Sequence, residues 1–140
     1  MAAMAATGSK TGAPNALALV CPAVDVENDA WFKRILLGRT NVARVSPAAL
    51  VTNGLPPTLV VQARKDTVTP LKGAQLYCDR MVAAGNRCEL VLFSGGHMFT
   101  PEGVPDDGIP QPDPKVQEKA TSQVDEFLRK IGYWGAQKEP

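Results

Sequence analysis

The sequence predicts an α/β protein: a small three-layer αβα unit built on a mainly three-stranded parallel sheet. Three observations carry that prediction. Thr58-Leu59-Val60-Val61 is an apolar, β-rich run with no alternation, as expected of a central parallel strand covered on both faces. Cys88 to Phe93 (CELVLF) and Ala16 to Cys21 (ALALVC) are two further short apolar runs with strand character. Helical segments lie between and after these runs, an order that right-handed crossovers turn into a parallel sheet.

Taken in order, residues 1–13 are small and read as a flexible segment. Gly8-Ser9-Lys10-Thr11-Gly12 lacks both the first glycine and the preceding strand that a phosphate loop requires. The domain proper is expected over 14–135, with a flexible tail over 136–140. After the first strand come Pro22 and a loop holding Asp25. Asn28 or Asp29 can then cap a helix running through Trp31, Phe32, Ile35 and Leu36, with Gly38 as its stop. Trp31 and Phe32 fit a plain amphipathic covering helix.

Val42 to Leu55 is irregular, with a turn at Ser46-Pro47. Pro56 and Pro57 hold the entry to the central strand extended. A helix is predicted from about Leu71 to Ala84, since Ala74, Tyr77, Cys78 and Met81 fall on one face, and Gly85-Asn86 end it. That face makes Cys78 a core thiol. Thr100 to Pro114 holds five of the twelve prolines and reads as a surface loop. Its Asp106, Asp107 and Asp113 lack the histidine or regular spacing of a metal site. Asp113-Pro114 opens a last helix with an N-cap and a proline at its first position. Its stripe is Val116, Ala120, Val124, Phe127, Leu128 and Ile131, with Gly132 as the stop and Tyr133-Trp134 expected to pack at its end. The first two helices are expected on one face of the sheet and the last on the other.

Composition narrows the function classes. A chain of 140 residues is one domain by the usual prior. Its net charge of +1 gives no electrostatic reason to expect nucleic acid or an anionic membrane. No apolar run reaches the roughly 18 residues of a membrane span. The opening MAAMAATGSKTGAPN holds no apolar stretch of signal-peptide length. The three cysteines, Cys21, Cys78 and Cys88, leave at least one thiol unpaired and have no metal-ligand spacing. A reduced, cytoplasmic setting is the simpler expectation, with no metal and no cofactor.

Two loops hold the candidate chemistry. The central strand ends in a polar segment, Gln62 to Thr67, that carries Asp66. Functional groups of open α/β sheets sit just past the carboxyl ends of strands. On position alone Asp66 reads first as a turn or helix cap. The second loop follows the CELVLF strand as Ser94-Gly95-Gly96-His97-Met98-Phe99 and holds the one histidine of the chain. The glycines let the backbone turn sharply and leave room beside the imidazole. An imidazole with a carboxylate to fix its tautomer is what a general base needs.

On these residues the chain resembles the C-terminal part of an α/β-hydrolase. It is most similar to the hormone-sensitive-lipase-like and acetyl-esterase-like carboxylesterases. Pro56-Pro57-Thr58-Leu59-Val60 matches the strand that leads into the family's acid loop, and Asp66 to Pro70 matches the loop itself. Gly95 to Phe99 matches the histidine turn. The resemblance covers 14–99, including Asn15-Ala16-Leu17 to Asp25 and Ser46-Pro47, and the last helix in character. It implies ester hydrolysis without a cofactor, Asp66 as acid and His97 as base of a Ser–Asp–His triad, and Trp31 and Phe32 in one wall of the acyl pocket. Ala63 stands where a glycine is common, and the histidine turn is one residue shorter than usual.

The larger departure is the absence of G-x-S-x-G from the sequence, and with it of the nucleophile and its oxyanion donors. Three readings follow. The chain is the acid–base half of an ester hydrolase, inactive alone and acting on a small-molecule ester only when completed. Or it uses an improvised nucleophile, Ser94, Ser46 or a cysteine, although Ser94 lies too near His97 in sequence for an easy approach to about 2.6–3.2 Å. Or it is a non-catalytic interaction module on the same fold. In the whole family fold the Ala16–Cys21 strand is internal. Here its outer edge is expected to be bare, apolar and uncharged, so a homodimer or higher oligomer through that strand or by exchanged elements is expected. The alternative is that residues 1–15 fold back over the edge, although their Ala, Gly and Ser content makes a poor strand.

Overall fold

The computed structural model describes residues 2–8, 12–36, 38, 41–106 and 108–133. Three parallel strands form one sheet in the order β1 (Leu17–Val20), β2 (Thr58–Ala63), β3 (Cys88–Phe93). Leu19 lies opposite Val60, and Val60 opposite Leu90. All six residues of β2 are buried, which is why that strand has no polar alternation. Pro57, with no N–H to offer, still accepts the amide of Leu17 at 2.9 Å and so sets the start of the β1–β2 ladder.

Two helices cover the sheet. In α3 (Leu71–Ala83) the residues Ala74, Tyr77, Cys78 and Met81 are buried against Leu17, Leu19 and Val60. In α4 (Pro114–Lys130) Ala120 and Phe127 pack against Leu59, Val61 and Ala63 on the other side. Alternate residues of a strand point to opposite faces, so the two clusters divide β2 between them. Burial of a side chain such as Phe127 stabilises by about 1.5–3 kcal/mol. The carboxylate of Asp113 caps α4, accepting from Lys115 N at 2.8 Å and Val116 N at 3.3 Å.

Several expectations are corrected. Residues 2–8 are not a flexible segment but a helix, α1 (Ala2–Gly8), with Ala3 and Ala6 buried in the cluster around Leu17 and Ala48. Alanine has the highest helix propensity, and the apolar face beside β1 gives it something to pack on. The helix α2 (Ala30–Leu36) is capped by Asp29, whose Oδ1 accepts from Trp31 N at 2.9 Å and Phe32 N at 3.1 Å. Asn28 instead donates to the Asp25 carboxylate. None of the seven residues of α2 is buried, so it does not cover the sheet as α3 does. Tyr133 is half exposed rather than packed. Residues 9–11, 107, 134 and 136–140 lie outside the described residues, and with them the Gly8–Gly12 comparison, Asp107, the packing of Trp134 and the tail.

Cys78 is not a free core thiol. The core face of α3 lies over β3, which brings its Cα to 5.4 Å from that of Cys88, and the two are joined by a disulfide. Cys21 is the free cysteine among the described residues. No described helix is long and apolar enough to cross a membrane.

Candidate active site

The site lies where β2 and β3 end. Past the strands, Arg64 N donates to Phe93 O at 2.9 Å and Lys65 N to Gly95 O at 3.0 Å. These two bonds carry the parallel pairing into the loops and set the acid loop beside the histidine turn. His97 Nδ1 then stands 3.0 Å from Asp66 Oδ2 and 3.2 Å from Oδ1. The Asp66 side chain is fully buried, and that of His97 is 19% exposed. A carboxylate can only accept, so in this contact Nδ1 is the donor.

The Asp66 carboxylate is held from several directions. Oδ1 accepts the amides of Val68 at 3.0 Å and Thr69 at 2.7 Å. Oδ2 accepts Gln62 Nε2 at 3.1 Å and faces the Thr69 hydroxyl at 2.9 Å. The turn-capping role read from position and the role as partner of His97 therefore coexist in one side chain. Thr69 Oγ1 also lies 3.0 Å from Cys21 O and 3.2 Å from His97 Nδ1, tying the end of β1 to the pair.

A second carboxylate, absent from the sequence reading as a site residue, organises the same edge. Asp106 is buried, and its Oδ2 accepts His97 N at 2.8 Å and Thr67 N at 3.0 Å. Its Oδ1 bonds to the Thr67 hydroxyl. Burial pushes its carboxyl pKa up, but the hydrogen bonds from Thr67 and His97 outweigh that and hold it below the ordinary value. Gly96 of the turn makes room for this carboxylate rather than for the imidazole. A Cβ on Gly96 would come within 2.5 Å of Asp106 Oδ2. Nothing in a proline-rich loop signals such a role, because the contact is made only in three dimensions. Gln62 and Thr69 had a fainter signal: both are polar residues close to Asp66 at the end of an apolar strand.

Backbone strain collects here too. Among the described residues, those other than glycine with positive φ are Cys21 (43°), Met98 (53°) and Phe99 (66°). Each costs about 1–3 kcal/mol and persists only where its surroundings enforce it. Phe99 is locked by burial and by an edge-on contact with Phe93 at 5.8 Å. His97 O accepts Thr100 Oγ1 at 2.9 Å, which closes the turn.

The candidate nucleophiles fare differently. Ser46 is fully buried and accepts Val26 N at 3.1 Å, a structural role. Ser94 is exposed and lines a shallow pocket with Pro101, Glu102 and Asp113. Cys21 stands beside the Asp66–His97 pair. Burial pushes its thiol up to about 11, opposed by the amides of Ala63 and Met98 and reinforced by the charge of Asp66. That environment favours the thiol over the thiolate that a nucleophile needs. Trp31 is 43% exposed and meets Phe32 edge-on at 4.8 Å. Phe32 lines an apolar groove with Val20, Pro22 and Leu36, along the side of β1.

The chain is similar to solved structures of esterase 2 from Thermogutta terrifontis. The native enzyme is 28% identical, with a TM-score of 0.72 over 98% of this chain and 53% of that one. The butyrate-bound form is 28% identical, with a TM-score of 0.73 over 98% and 54%. The form phosphoramylated by tabun is 31% identical, with a TM-score of 0.68 over 88% and 44%. The chain thus spans about half the length of these structures. No family model and no curated protein matches it. The fold is that of part of an α/β-hydrolase esterase, and the likeness supports membership of that superfamily.

Proposed function

We propose that this chain is the acid–base half of a carboxylic-ester hydrolase of the hormone-sensitive-lipase-like, acetyl-esterase-like kind, and that it does not turn over esters alone. One observation carries the reading: the Nδ1–Oδ2 contact of 3.0 Å between His97 and Asp66 at the ends of adjacent parallel strands. In this reading Nε2 of His97 takes the proton of an attacking serine hydroxyl and later gives it to the departing alkoxide. Asp66 fixes the tautomer and stabilises the imidazolium in between. The PPTLV strand and the Asp66–Pro70 loop support the narrower family. Esterase 2 solved with butyrate bound supports a short acyl ester as substrate.

The sequence holds no G-x-S-x-G, so the serine and its oxyanion donors have to come from another segment. The test is hydrolysis of p-nitrophenyl acetate and butyrate, first by this chain alone, then with an esterase N-terminal half that carries the nucleophile. The expected result is negligible turnover alone, and turnover with the complement that His97→Ala abolishes. Catalysis left after loss of a triad member, about 10³–10⁴-fold over water, comes from the oxyanion hole and binding, which are missing here as well. Turnover by the chain alone that is lost in His97→Ala would overturn the reading in favour of a nucleophile within the chain.

A further inference from the structure

Cys21 has no part in the acid–base pair, yet its sulfur is next to it. One donor atom from each of Cys21, Asp66 and His97 lies within 4.8 Å of the other two. The three donors come from three strand ends: β1 directly, β2 through the acid loop, and β3 through the glycine turn. Cys21 and Asp66 are buried, and the imidazole is partly exposed. The cluster is therefore closed behind and open on the side of His97.

We propose that Cys21, Asp66 and His97 form a binding site for a divalent cation of the zinc class, and that its occupancy withdraws His97 from acid–base work. A thiolate, an imidazole and a carboxylate together suit Zn²⁺ and its softer analogues, whereas Mg²⁺ and Ca²⁺ take oxygen donors. Three protein ligands leave one tetrahedral position for water, which the open side supplies. Bond lengths to zinc of about 2.0–2.3 Å put neighbouring ligands on the order of 3.5 Å apart. His97 Nδ1 and Asp66 Oδ2, at 3.0 Å, already have nearly that spacing. All three donors lie within 4.8 Å of one another, so none has to draw in by more than roughly 1 Å, within the reach of a side-chain rotation.

The surrounding shell fits as well. Ligating carboxylates are normally oriented by outer partners. Here Gln62 Nε2 and the amides of Val68 and Thr69 hold Asp66, and the Thr69 hydroxyl, which also lies 3.0 Å from Cys21 O, can turn to that carbonyl and leave a lone pair of Oδ2 for the metal. Binding is balanced as follows. The Cys21 thiol releases its proton to solvent and the sulfur forms the metal bond. The Nδ1 proton of His97 leaves through solvent exchange, Nδ1 binds the metal, and Nε2 takes up a proton. In that state Nε2 cannot accept a proton from a hydroxyl. The binding itself does not depend on the proposed ester chemistry; only the inhibitory consequence does.

The experiment is a titration of the purified full chain with Cd²⁺, followed by the ultraviolet charge-transfer absorption of a cadmium thiolate. One equivalent should bind, Zn²⁺ should displace it, and Mg²⁺ should not. Cys21→Ser and His97→Asn should each weaken binding at least about tenfold. Circular dichroism of the same samples checks that the variants are folded. Cadmium-113 NMR on the unaltered chain gives a reading without any variant, with a shift in the range of mixed sulfur, nitrogen and oxygen ligation expected. Absence of the thiolate band, or a band that persists in Cys21→Ser, overturns the proposal. Neither readout requires esterase turnover, so failure here and failure of the ester-hydrolase reading are separable.

Discussion

The carboxylate of Asp106 accepts the backbone amide of His97 at 2.8 Å, and the same oxygen accepts the amide of Thr67 at 3.0 Å. One buried side chain thus clamps the residue after Asp66 to the residue that bears the imidazole. The spacing of the acid–base pair depends on a group that belongs to neither loop.

Asp106→Ala should therefore destabilise the chain by about 1–3 kcal/mol in urea unfolding, since it removes a charged acceptor from the part-buried N–H groups of Thr67 and His97. Asp106→Asn keeps one acceptor oxygen and should cost less. The pH dependence has a definite sign. The folded carboxyl pKa lies below the ordinary value of 3.8, so its contribution is fully present above that value and is lost as pH falls through the lower folded one. The urea midpoint of the unaltered chain should fall more steeply below about pH 4 than that of Asp106→Asn. Parallel acid profiles would show that the clamp does not stabilise the fold through its charge.

The two glycines before His97 are constrained for different reasons. Gly95 has φ +99°, and a Cβ there would meet Thr100 O at 2.6 Å, a backbone atom that cannot step aside. At Gly96 the added Cβ meets the Asp106 side chain, with Oδ2 at 2.5 Å. Gly96→Ala should expel that carboxylate and cost about 1–3 kcal/mol. Gly95→Ala should cost more, because it adds backbone strain to the clash. Thermal unfolding of the pair of variants checks the order. Gly96→Ala combined with Asp106→Ala should be less damaging than the sum of the two single changes.

How much of this was legible in the sequence follows from how local each feature is. The strand β2 announced itself because burial on both faces leaves an unbroken apolar run. The helix α3 did so because Ala74, Tyr77, Cys78 and Met81 recur at helical spacing on the face that is buried. Strand-end position puts Asp66 and His97 at one edge of the sheet, but on position alone Asp66 reads first as a cap, which it also is through the amides of Val68 and Thr69. Asp106 could not be so placed, because its value lies in contacts with Thr67 and His97 that cross a proline-rich loop. The helix at residues 2–8 is not legible in sequence, because a run of small residues reads as flexible until the fold supplies the face on which its alanines pack. The Cys78–Cys88 pair is not legible either, because a helix face and a strand meet only once the sheet is built.

That pair makes a simple chemical prediction. Of the three cysteines, Cys78 and Cys88 are bonded, and Cys21 is free. Thiol titration in denaturant should find one thiol per chain without reductant and three with it. The bond ties residues ten apart in sequence, and by the loop-entropy relation a closed loop of this size stabilises by about 2–3 kcal/mol. Reduction should lower the urea stability by that amount. Three thiols without reductant would show that the bridge does not form in solution.

The last prediction concerns the free side of β1. Leu17 N and Cys21 N donate to Pro57 O and Val61 O, at 2.9 Å each. In a strand the intervening residues, Ala18 and Val20, then turn their N–H and C=O groups away from β2. No described strand pairs with them. The side chains of Ala18 and Val20 are exposed, while Leu17 and Leu19 are buried under α1. An apolar groove of about 520 Å³ runs beside this edge, lined by Val20, Phe32 and Leu36 among others. A bare apolar edge recruits another strand, and a second copy offers an identical one across a two-fold axis. Size-exclusion chromatography with light scattering should therefore report a homodimer at micromolar concentration. Val20→Lys places a charge on the edge and should shift the chain to monomer without unfolding it. A monomer for the unaltered chain, with the amides of Ala18 and Val20 exchanging slowly, would show instead that the edge is protected within one molecule.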